Sequence, residues 1–517
     1  MDWSWADASA PDRGHVRCEA GAVVTTDAAH QSDQLDAEHV RTAAAAAADW
    51  LEARRDHLRV PGVQAALSLR GELLLSTASG VADEGTGEPL RTDHLFRVAS
   101  HSKAFAATLV LRLADAGALS LEDRLGRWVP ELAAAGSPAA TVPLRALLEH
   151  TAGLARDSVE GAGHGDADHW QGERPFPDRA ELVAVLSAPG VAVLGVYERF
   201  KYSNLGYAAL GLVLEAVTGR PWAELVRTEL LEPLGLRRTE PTWVPERAAE
   251  HASGHALLAL GGARRPVRWE SLTADARAMD AATGVSSTAE DLVRWATAHC
   301  DAPATARRVR QDPDDERPVL PAHLRRLARQ GAWATDDPSG GGPAASGDEY
   351  GLGWQRLTAG GRRTVGHGGG FFGHATRTAF DPVTGLAVAV CTNAVDGPAL
   401  PLARGVLRLV ELATTGTPDP AAARPGALER FTGRFASQWG VLDVVRLGDR
   451  LVALDPAADL PGPSAELRVA SDDALLVTAA PGFAAPGELL RYAFDVDGRA
   501  AAVRGAGGIT HRPVSRP

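Results

Sequence analysis

The sequence is organised around FRVASHSKAF, residues 96–105, in which a serine precedes a lysine by three positions. Residues three positions apart lie on the same face of an α-helix. After Lys103, apolar residues recur with helical spacing, and Gly117 then provides a helix stop. We therefore predict a buried helix with Ser100 on its first turn, where a free backbone amide and the helix dipole favour developing negative charge.

Lysine is rare in this chain, because Lys103 and Lys201 are the only two and the remaining long basic side chains are arginines. A desolvated lysine can lose its proton and act as a general base, whereas an arginine cannot. Asparagine is equally rare, and Asn204 closes the stretch KYSN at residues 201–204. A serine and a lysine at this spacing also occur by chance on ordinary helices, but the second cluster favours a serine–lysine active site.

Length, charge and cysteine content restrict the class of protein. A chain of 517 residues is too long for one compact domain, and its net charge of -12 argues against binding nucleic acids or anionic membranes. Three distant cysteines give neither a disulfide framework nor metal-ligand spacing. We expect no metal and no cofactor, and the absence of a leader or a spanning apolar run predicts a cytoplasmic protein.

Changes in composition along the chain predict its domains. We expect residues 1–35 to form a flexible tail, since they are acidic and lack periodicity. A large domain follows at 36–412, and a stretch rich in Pro, Thr and Ala at 413–426 reads as a linker. Residues 427–517 alternate between apolar and polar side chains around glycine-containing turns, which predicts a small all-β domain.

Several elements of the large domain can be predicted from local signals. An alanine-rich helix is expected from Asp36 to about His57, and Arg70–Gly71 are expected to form the turn of a hairpin. A core helix is predicted at 205–218, with Asn204 as its N-cap. Residues 155–180 are rich in Gly, Asp and His without metal-ligand spacing, so we expect a loop over the site.

A glycine-rich segment, VGHGGGFFGH, occupies residues 365–374. Three consecutive glycines allow another backbone or a ligand to approach closely. A phosphate-binding loop would require a following lysine and a strand-to-helix pattern, and neither is present. The segment is therefore predicted to be an edge strand that lines a cleft.

Together these motifs resemble the serine β-lactamase and penicillin-binding-protein-like hydrolases, in the branch of class C enzymes, family VIII esterases and D-aminopeptidases. Residues 100–103 resemble the SxxK element, 202–204 resemble Tyr-x-Asn, and 367–369 stand where many members have Lys-Thr-Gly. Further stretches that resemble the family lie at 150–154, 284–288 and 350–354. The resemblance implies an α+β fold of the β-lactamase/transpeptidase type, in which helices flank an antiparallel sheet beside a helical subdomain. The C-terminal β domain is similar to a lipocalin-like appendage.

The resemblance also implies a role for each motif residue. Ser100 attacks an ester or amide carbonyl to form an acyl-enzyme, and Lys103 accepts or relays its proton. Tyr202 protonates the leaving group and activates the deacylating water, with Lys103 supplying the field that its phenol needs. Asn204 holds Lys103 and the substrate amide. The backbone amides of Ser100 and Gly370 form the oxyanion hole.

One departure from the family pattern is His367, which replaces the lysine of Lys-Thr-Gly. Imidazole is mostly neutral at pH 7, so a permanent charge for a substrate carboxylate is missing. We expect His367, Gly368 and Gly369 to contact the substrate, and we expect protonation of His367 near pH 6 to help carboxylate-bearing substrates. This pattern favours an esterase, amidase or peptidase over a β-lactamase.

Alternatives to hydrolysis stay open at this point. An acyl-enzyme that passes its acyl group to an amine would make the protein an acyltransferase or a peptide cyclase. A ligand-binding protein on the same scaffold would be expected to lack Ser100, Lys103 or Tyr202, and all three are present. The expected partner is a small ester, amide or peptide, while the sequence leaves the substrate and the oligomeric state open.

Overall fold

The computed structural model describes residues 35–159, 175–257, 264–266, 275–301, 318–335, 348–359, 362–480, 486–505 and 508–514. The predicted tail at 1–35 lies outside the described residues except at its last position. The predicted loop at 155–180 is described only at its two ends, 155–159 and 175–180.

Helices surround a central sheet. They are α1 Ala37–Leu58, α2 Ser102–Asp115, α3 Leu125–Trp128, α4 Pro130–Ala134, α5 Leu144–Leu148, α6 Arg179–Ser187, α7 Asn204–Thr218, α8 Trp222–Val226, α9 Glu232–Leu234, α10 Asp280–Thr283, α11 Ala289–Ala298, α12 Ala322–Arg329 and α13 Ala399–Thr414. The first is the predicted alanine-rich helix, and the Asp36 carboxylate caps it by accepting hydrogen bonds from the amides of Glu38 and His39.

The strands of the large unit are β1 Gly62–Leu69, β2 Glu72–Asp83, β3 Glu88–Pro89, β4 Phe96–Arg97, β5 His255–Leu257, β6 Arg264–Pro266, β7 Ser286–Ser287, β8 Trp333–Ala334, β9 Glu349–Tyr350, β10 Gln355–Ala359, β11 Arg362–Phe371, β12 His374–Asp381 and β13 Leu386–Thr392. Within the described residues, nine of them form one antiparallel sheet in the order β3-β2-β1-β13-β12-β11-β10-β9-β8. Two short pairs, β4 with β7 and β5 with β6, lie outside that sheet.

The predicted hairpin is confirmed at the start of this sheet. Leu69 of β1 pairs with Glu72 of β2, and the two residues between them, Arg70 and Gly71, have φ of 51° and 82°. Positive φ at both central residues is the geometry of a tight hairpin turn that matches the right-handed twist of the strands.

Both faces of the central sheet are covered, which explains why every residue of β1 is buried. Val63, Ala65 and Leu67 pack in one apolar cluster with α1 and α13. Ala66 points to the opposite face and belongs to the cluster that contains α2, α7 and α11. The predicted fold, a sheet flanked by helices, is therefore confirmed.

The helix predicted after Ser100 is α2, and all ten of its residues from Ser102 to Leu111 are buried. Its Phe105 ring stacks on Trp295 of α11 with 4.0 Å between ring centroids. The helix packs against α7, in which residues 205–214 are buried. Burial on every side places both helices in the core, as their apolar sequences predict.

The predicted N-cap of α7 was wrong by one position. Ser203 is the N-cap, because its hydroxyl accepts a hydrogen bond of 3.0 Å from the amide of Gly206. Asn204 is the first residue of the helix. Since the backbone is capped by Ser203, the Asn204 amide side chain is available for the neighbouring active site.

The glycine-rich segment forms β11, which is an edge strand only in its second half. Its first half, Arg362–Gly366, pairs with β10, so the prediction of an edge strand over residues 365–374 was wrong for Val365 and Gly366. From His367 to Phe371 the strand pairs only with β12 among the described residues. The three glycines therefore lie where one side of the strand is left open to a ligand.

The last strands close into an eight-stranded barrel. They are β14 Gly433–Ser437, β15 Gly440–Leu447, β16 Arg450–Leu454, β17 Pro463–Ser471, β18 Ala474–Ala479, β19 Leu489–Phe494, β20 Ala500–Arg504 and β21 Thr510–Pro513. Phe435, Leu451 and Tyr492 belong to its own buried cluster, so side chains occupy the interior. The small all-β domain is confirmed, while the limits set at 412, 413, 426 and 427 stay predictions.

One side of the barrel shares a core with the large unit. Val445, Leu447, Val452 and Leu454 belong to the cluster formed by α1, α13 and one face of the sheet. Burial of these side chains stabilises the contact by removing apolar surface from water. No helix in the described part of the chain is long and apolar enough to span a membrane.

Candidate active site

Ser100 lies in a short 3-10 turn, Ala99–His101, that leads directly into α2. Ala99 has a φ of 47°, in the left-handed region that a residue with a Cβ adopts only at an energetic cost. The Ser102 hydroxyl holds this turn, since it donates to the Ala99 carbonyl at 2.7 Å and accepts from the Val285 amide at 3.0 Å. The nucleophile candidate is therefore fixed by a strained and internally braced turn.

Two predicted site residues, Lys103 and Tyr202, contact the Ser100 hydroxyl. The Lys103 ammonium or amine nitrogen lies 3.1 Å from the Ser100 Oγ, one helical turn away. The Tyr202 hydroxyl donates to the same Oγ at 2.9 Å from the other side. Ser100 and Tyr202 are partly exposed whereas Lys103 is buried, so the hydroxyls face the cleft and the amine lies behind them.

Burial of Lys103 favours the neutral form of its amine. Its Nζ lies 2.7 Å from the Asn204 Oδ1 and 2.9 Å from the Ala282 carbonyl, and both atoms are acceptors. These acceptors take the two N–H groups of a neutral amine, so its lone pair is left for the Ser100 hydroxyl. Burial holds the pKa of Lys103 well below its ordinary value, although the charge of Asp157 acts in the opposite direction.

Tyr202 is set up as a proton donor. Burial raises the pKa of its phenol above the ordinary value, and the hydrogen bond to Ser100 offsets this only in part. The expectation that the field of Lys103 lowers this pKa was wrong, because burial dominates and the charges that act on the phenol are those of Arg156 and Asp157. The phenol keeps its proton and can deliver it to a leaving group.

His150 contacts the segment that carries Tyr202. The His150 Nδ1 accepts a hydrogen bond of 3.0 Å from the Ser203 amide, and its carbonyl accepts one of 2.6 Å from the Lys201 amide. Its ring lies 4.2 Å from the ring of Tyr202. These contacts indicate that His150 holds its loop in place, and Lys201 is partly exposed.

His367 does not face the substrate as we expected. Its side chain is buried, with 1% of its surface exposed. Its Nδ1 lies 2.6 Å from the Gly368 carbonyl and therefore donates, so Nε2 accepts the hydrogen bond of 2.9 Å from the Tyr350 hydroxyl. Both nitrogens are thus occupied, and burial lowers the pKa of the imidazole well below its ordinary value. The predicted protonation near pH 6 was wrong.

The glycines after His367 differ in what surrounds them. A Cβ on Gly369 would lie 2.1 Å from the Val98 carbonyl, so only glycine allows this strand to approach the Ser100 turn. A Cβ on Gly370 would meet nothing within 4 Å, and this residue is exposed. Gly368 is half-buried beside Arg377. The close approach brings the open half of β11 next to the turn that carries Ser100.

Phe371, Phe372 and Trp354 differ in how far they are buried, and only aromatic side chains that are at least partly exposed can line a pocket for an acyl group. Trp354 is buried within the main core and contacts Phe380 edge-on at 5.4 Å. Phe371 and Phe372 are only partly buried at the end of β11. The Phe371 ring lies 4.3 Å from the guanidinium of Arg97, which precedes the Ser100 turn. The partly exposed pair is therefore the better candidate for a pocket wall.

Sequence reasoning missed Asp157 and Tyr350. Asp157 accepts a hydrogen bond of 2.6 Å from the Asn204 Nδ2, and Tyr350 fixes His367. Tyr350 lay within a stretch that resembles the family, but nothing local marked it as a partner of His367. Asp157 lay in a segment read only as a loop, and no spacing linked it to Asn204.

Metal-ligating side chains do not gather in the described residues. No group of three or more His, Cys, Asp or Glu side chains that could hold a metal ion occurs there. His164 and His169, which lie near acidic residues in the sequence, fall outside the described residues.

Comparisons with known proteins place this site in a family. The family model described as Beta-lactamase matches residues 47–413. Penicillin-binding protein 4 of Amycolatopsis lactamdurans is 32% identical over 407 residues, which cover 76% of this chain and 98% of that protein. Esterase EstB of Burkholderia gladioli is 38% identical over 188 residues, or 35% of this chain and 46% of that protein.

A solved structure extends the similarity to the C-terminal barrel. The crystal structure of SurE matches with a TM-score of 0.56 and 26% sequence identity, and covers 92% of this chain and 100% of SurE. The family match spans more than half of the chain and includes Ser100, Lys103 and Tyr202. The chain therefore belongs to the β-lactamase family of serine hydrolases.

Proposed function

We propose that this protein cleaves ester or amide bonds of small molecules through an acyl-enzyme on Ser100. The observation that carries the proposal is the hydrogen-bonded chain from Tyr202 through Ser100 to Lys103. It provides a hydroxyl with a base on one side and an acid on the other, which is what nucleophilic acyl transfer requires.

In the acylation step, the Ser100 Oγ forms a bond to the substrate carbonyl carbon while its proton passes to the lone pair of Lys103. The electron pair of the C=O bond moves onto the oxygen, which we place against the backbone amides of Ser100 and Gly370. When the tetrahedral intermediate collapses, the phenol of Tyr202 gives its proton to the departing oxygen or nitrogen. The ammonium of Lys103 then returns a proton to the phenolate.

Deacylation repeats these steps with water in place of the leaving group. Water attacks the acyl carbon and gives one proton to Tyr202 while the phenol passes its own proton to the Lys103 amine. The ammonium formed on Lys103 then protonates the Ser100 oxygen as it leaves the acyl carbon. The products are a carboxylic acid and an alcohol or amine. The open side of β11 and the partly exposed Phe371 and Phe372 offer a place for the acyl group.

The buried and neutral His367 supports uncharged substrates. A lysine at this position could pair with a substrate carboxylate, and such a charge-assisted hydrogen bond contributes about 1.5 to 3 kcal/mol. Here that contact is missing, because the imidazole is occupied by Gly368 and Tyr350. We therefore expect short-chain esters and amides to react faster than penicillins and cephalosporins.

Relatives suggest where to look for the substrate. EstB is named an esterase, and one structure of SurE was solved with D-leucine. The substrate panel should therefore contain p-nitrophenyl acyl esters, D- and L-amino-acid anilides and nitrocefin. Added D-leucine tests whether an amine competes with water for the acyl group, as it would in an acyltransferase or peptide cyclase.

A fluorophosphonate probe tests the central assignment. We expect the probe to label the protein once, on the peptide that contains Ser100, and Ser100→Ala to abolish both labelling and turnover. Ser120→Ala serves as the control, because Ser120 is an exposed serine whose hydroxyl accepts a hydrogen bond from the nearby Glu122 amide, so labelling and turnover should persist. Labelling that survives Ser100→Ala would overturn the proposal.

A further inference from the structure

A carboxylate lies two hydrogen bonds away from Lys103. The Asp157 Oδ1 accepts from the Asn204 Nδ2 at 2.6 Å, and the Asn204 Oδ1 accepts from Lys103 at 2.7 Å. The segment that carries Asp157 is tied to the start of α7, because the Arg156 carbonyl accepts the amides of Asn204 and Leu205 at 2.8 and 3.1 Å. Asp157 is therefore built into the framework of the site.

The contact with Asp157 decides which way the Asn204 amide points. A carboxylate can only accept hydrogen bonds, so the NH2 group of Asn204 must face Asp157 and its oxygen must face Lys103. If the Asn204 amide were reversed, its NH2 group would face the N–H groups of Lys103, and two donors would then lie against each other. The orientation that leaves the Lys103 lone pair to Ser100 thus depends on Asp157.

The charge of Asp157 also acts on Lys103. Asp157 favours the ammonium form and so raises the pKa of Lys103, whereas the neighbouring Arg156 lowers it. Arg156 is the outer member of this pair: its side chain is 67% exposed and forms an ion pair of 3.2 Å with Asp157, which is 21% exposed. Its guanidinium lies 5.6 Å from the Tyr202 ring.

The remaining titratable groups around Lys103 are neutral near pH 7. Tyr202 and Tyr207 lie with their rings 4.9 and 5.6 Å from Nζ, and burial raises the pKa of both phenols. His150 and His367 also act on this region, and burial lowers the pKa of both imidazoles. The electrostatic balance at Lys103 therefore depends on the opposed charges of Asp157 and Arg156.

We propose that Asp157 is a positioning residue that orients Asn204 and, opposed by Arg156, sets the charge state of Lys103. The inference rests on the proposed function for its catalytic meaning, since Lys103 matters as a base only if Ser100 is acylated. The effect of Asp157 and Arg156 on the titration of Lys103 can be measured without any substrate.

The rarity of lysine makes the measurement direct. Lysine labelled isotopically at Cε gives NMR signals from only two residues, Lys103 and Lys201, and Lys201→Arg identifies which is which. We expect Asp157→Asn to move the titration midpoint of Lys103 downward, on the order of half a pH unit, because a negative charge is lost while an acceptor for Asn204 remains. We expect Arg156→Gln to move it upward.

The activity profile provides a second readout. The rising limb of kcat/KM against pH should shift in the same directions as the Lys103 titration, downward for Asp157→Asn and upward for Arg156→Gln. Asp157→Ala removes the acceptor as well as the charge, so kcat should fall on the order of tenfold below that of Asp157→Asn. If Asp157 had only a structural role, its substitution would lower the protein yield, but Asp157→Asn and Arg156→Gln would not shift the pH profile of kcat/KM in opposite directions.

The outcomes separate the two proposals. If the Lys103 signal shifts in opposite directions in the two variants but no ester or amide is turned over, the proposed function fails and the role of Asp157 stands. If turnover depends on Ser100 but the Lys103 titration is the same in wild type, Asp157→Asn and Arg156→Gln, the role of Asp157 is overturned and the proposed function stands.

Discussion

Lys103 is the single residue on which the proposed chemistry depends most. It is buried against Tyr202 and Asn204, and its amine can give and take a proton because burial lowers its pKa. A guanidinium in the same place would keep the positive charge but could not accept the serine proton.

We therefore expect Lys103→Arg to lower kcat at least about a hundredfold, the lower range for loss of a general base. Lys201→Arg is the matched control, since it makes the same change at the other lysine and should leave kcat near the wild-type value. Steady-state kinetics with p-nitrophenyl butyrate and thermal denaturation of both variants provide the check. Near-normal turnover by Lys103→Arg would mean that only the charge matters.

His367 leads to a prediction about pH. Because the pKa of this imidazole lies well below its ordinary value of 6.5, it stays neutral as the pH is lowered from about 7 to 6. We expect the ratio of kcat/KM for nitrocefin to that for p-nitrophenyl butyrate to stay constant over this range. A ratio that rises severalfold toward pH 6 would show that a histidine near the substrate becomes protonated.

At the scale of elements, strand β11 determines how closely the sheet approaches the turn that carries Ser100. Gly369 packs directly on the Val98 carbonyl in the chain that leads to Ser100, and Gly370 extends into open space. The two neighbouring glycines therefore offer a matched pair of substitutions.

We expect Gly369→Ala to destabilise the protein by about 1 to 3 kcal/mol, because the added methyl group overlaps backbone that cannot move freely. Gly370→Ala keeps the backbone amide and meets no neighbour within 4 Å, so stability should change little. Thermal unfolding of both variants measures the difference. Equal unfolding temperatures would show that β11 does not pack on the Ser100 turn as described.

At the scale of the whole molecule, buried histidines predict sensitivity to acid. Burial lowers the pKa of His101 and His251 to about 4 and that of His299 and His374 to about 3. In the unfolded chain these groups bind protons near pH 6.5, so acid stabilises the unfolded state. This contribution to stability is complete above about pH 6.5 and is lost as the pH falls toward 4.

We expect the free energy of unfolding to fall between about pH 7 and 5.5, on the order of 1 kcal/mol for each such histidine. Asp280 acts in the opposite sense, because burial raises its pKa to about 7 and acid then favours the folded state. Burial also raises the pKa of Glu149 and Asp291, but these carboxyls are fewer than the buried histidines. Chemical denaturation at both pH values measures the change. A free energy of unfolding that is the same at both pH values would contradict the role of the buried histidines.

Several elements and the contact between Ser100 and Lys103 could be predicted from the sequence alone. Helical spacing predicted α2, turn residues predicted the β1–β2 hairpin, and the Ser100–Lys103 spacing predicted a contact that the structure shows at 3.1 Å. These features depend on residues close together in the chain, where periodicity and local chemistry are sufficient.

The groups that act on the site from distant parts of the chain became apparent only in the tertiary structure. The separation of 47 positions between Asn204 and Asp157 gives no sequence signal, yet the fold joins them by a hydrogen bond of 2.6 Å. Likewise, a histidine in the sequence does not reveal its charge, and the burial of His367 against Tyr350 makes it neutral. Burial and pairing are properties of the packed core, because they depend on what distant segments bring to one place.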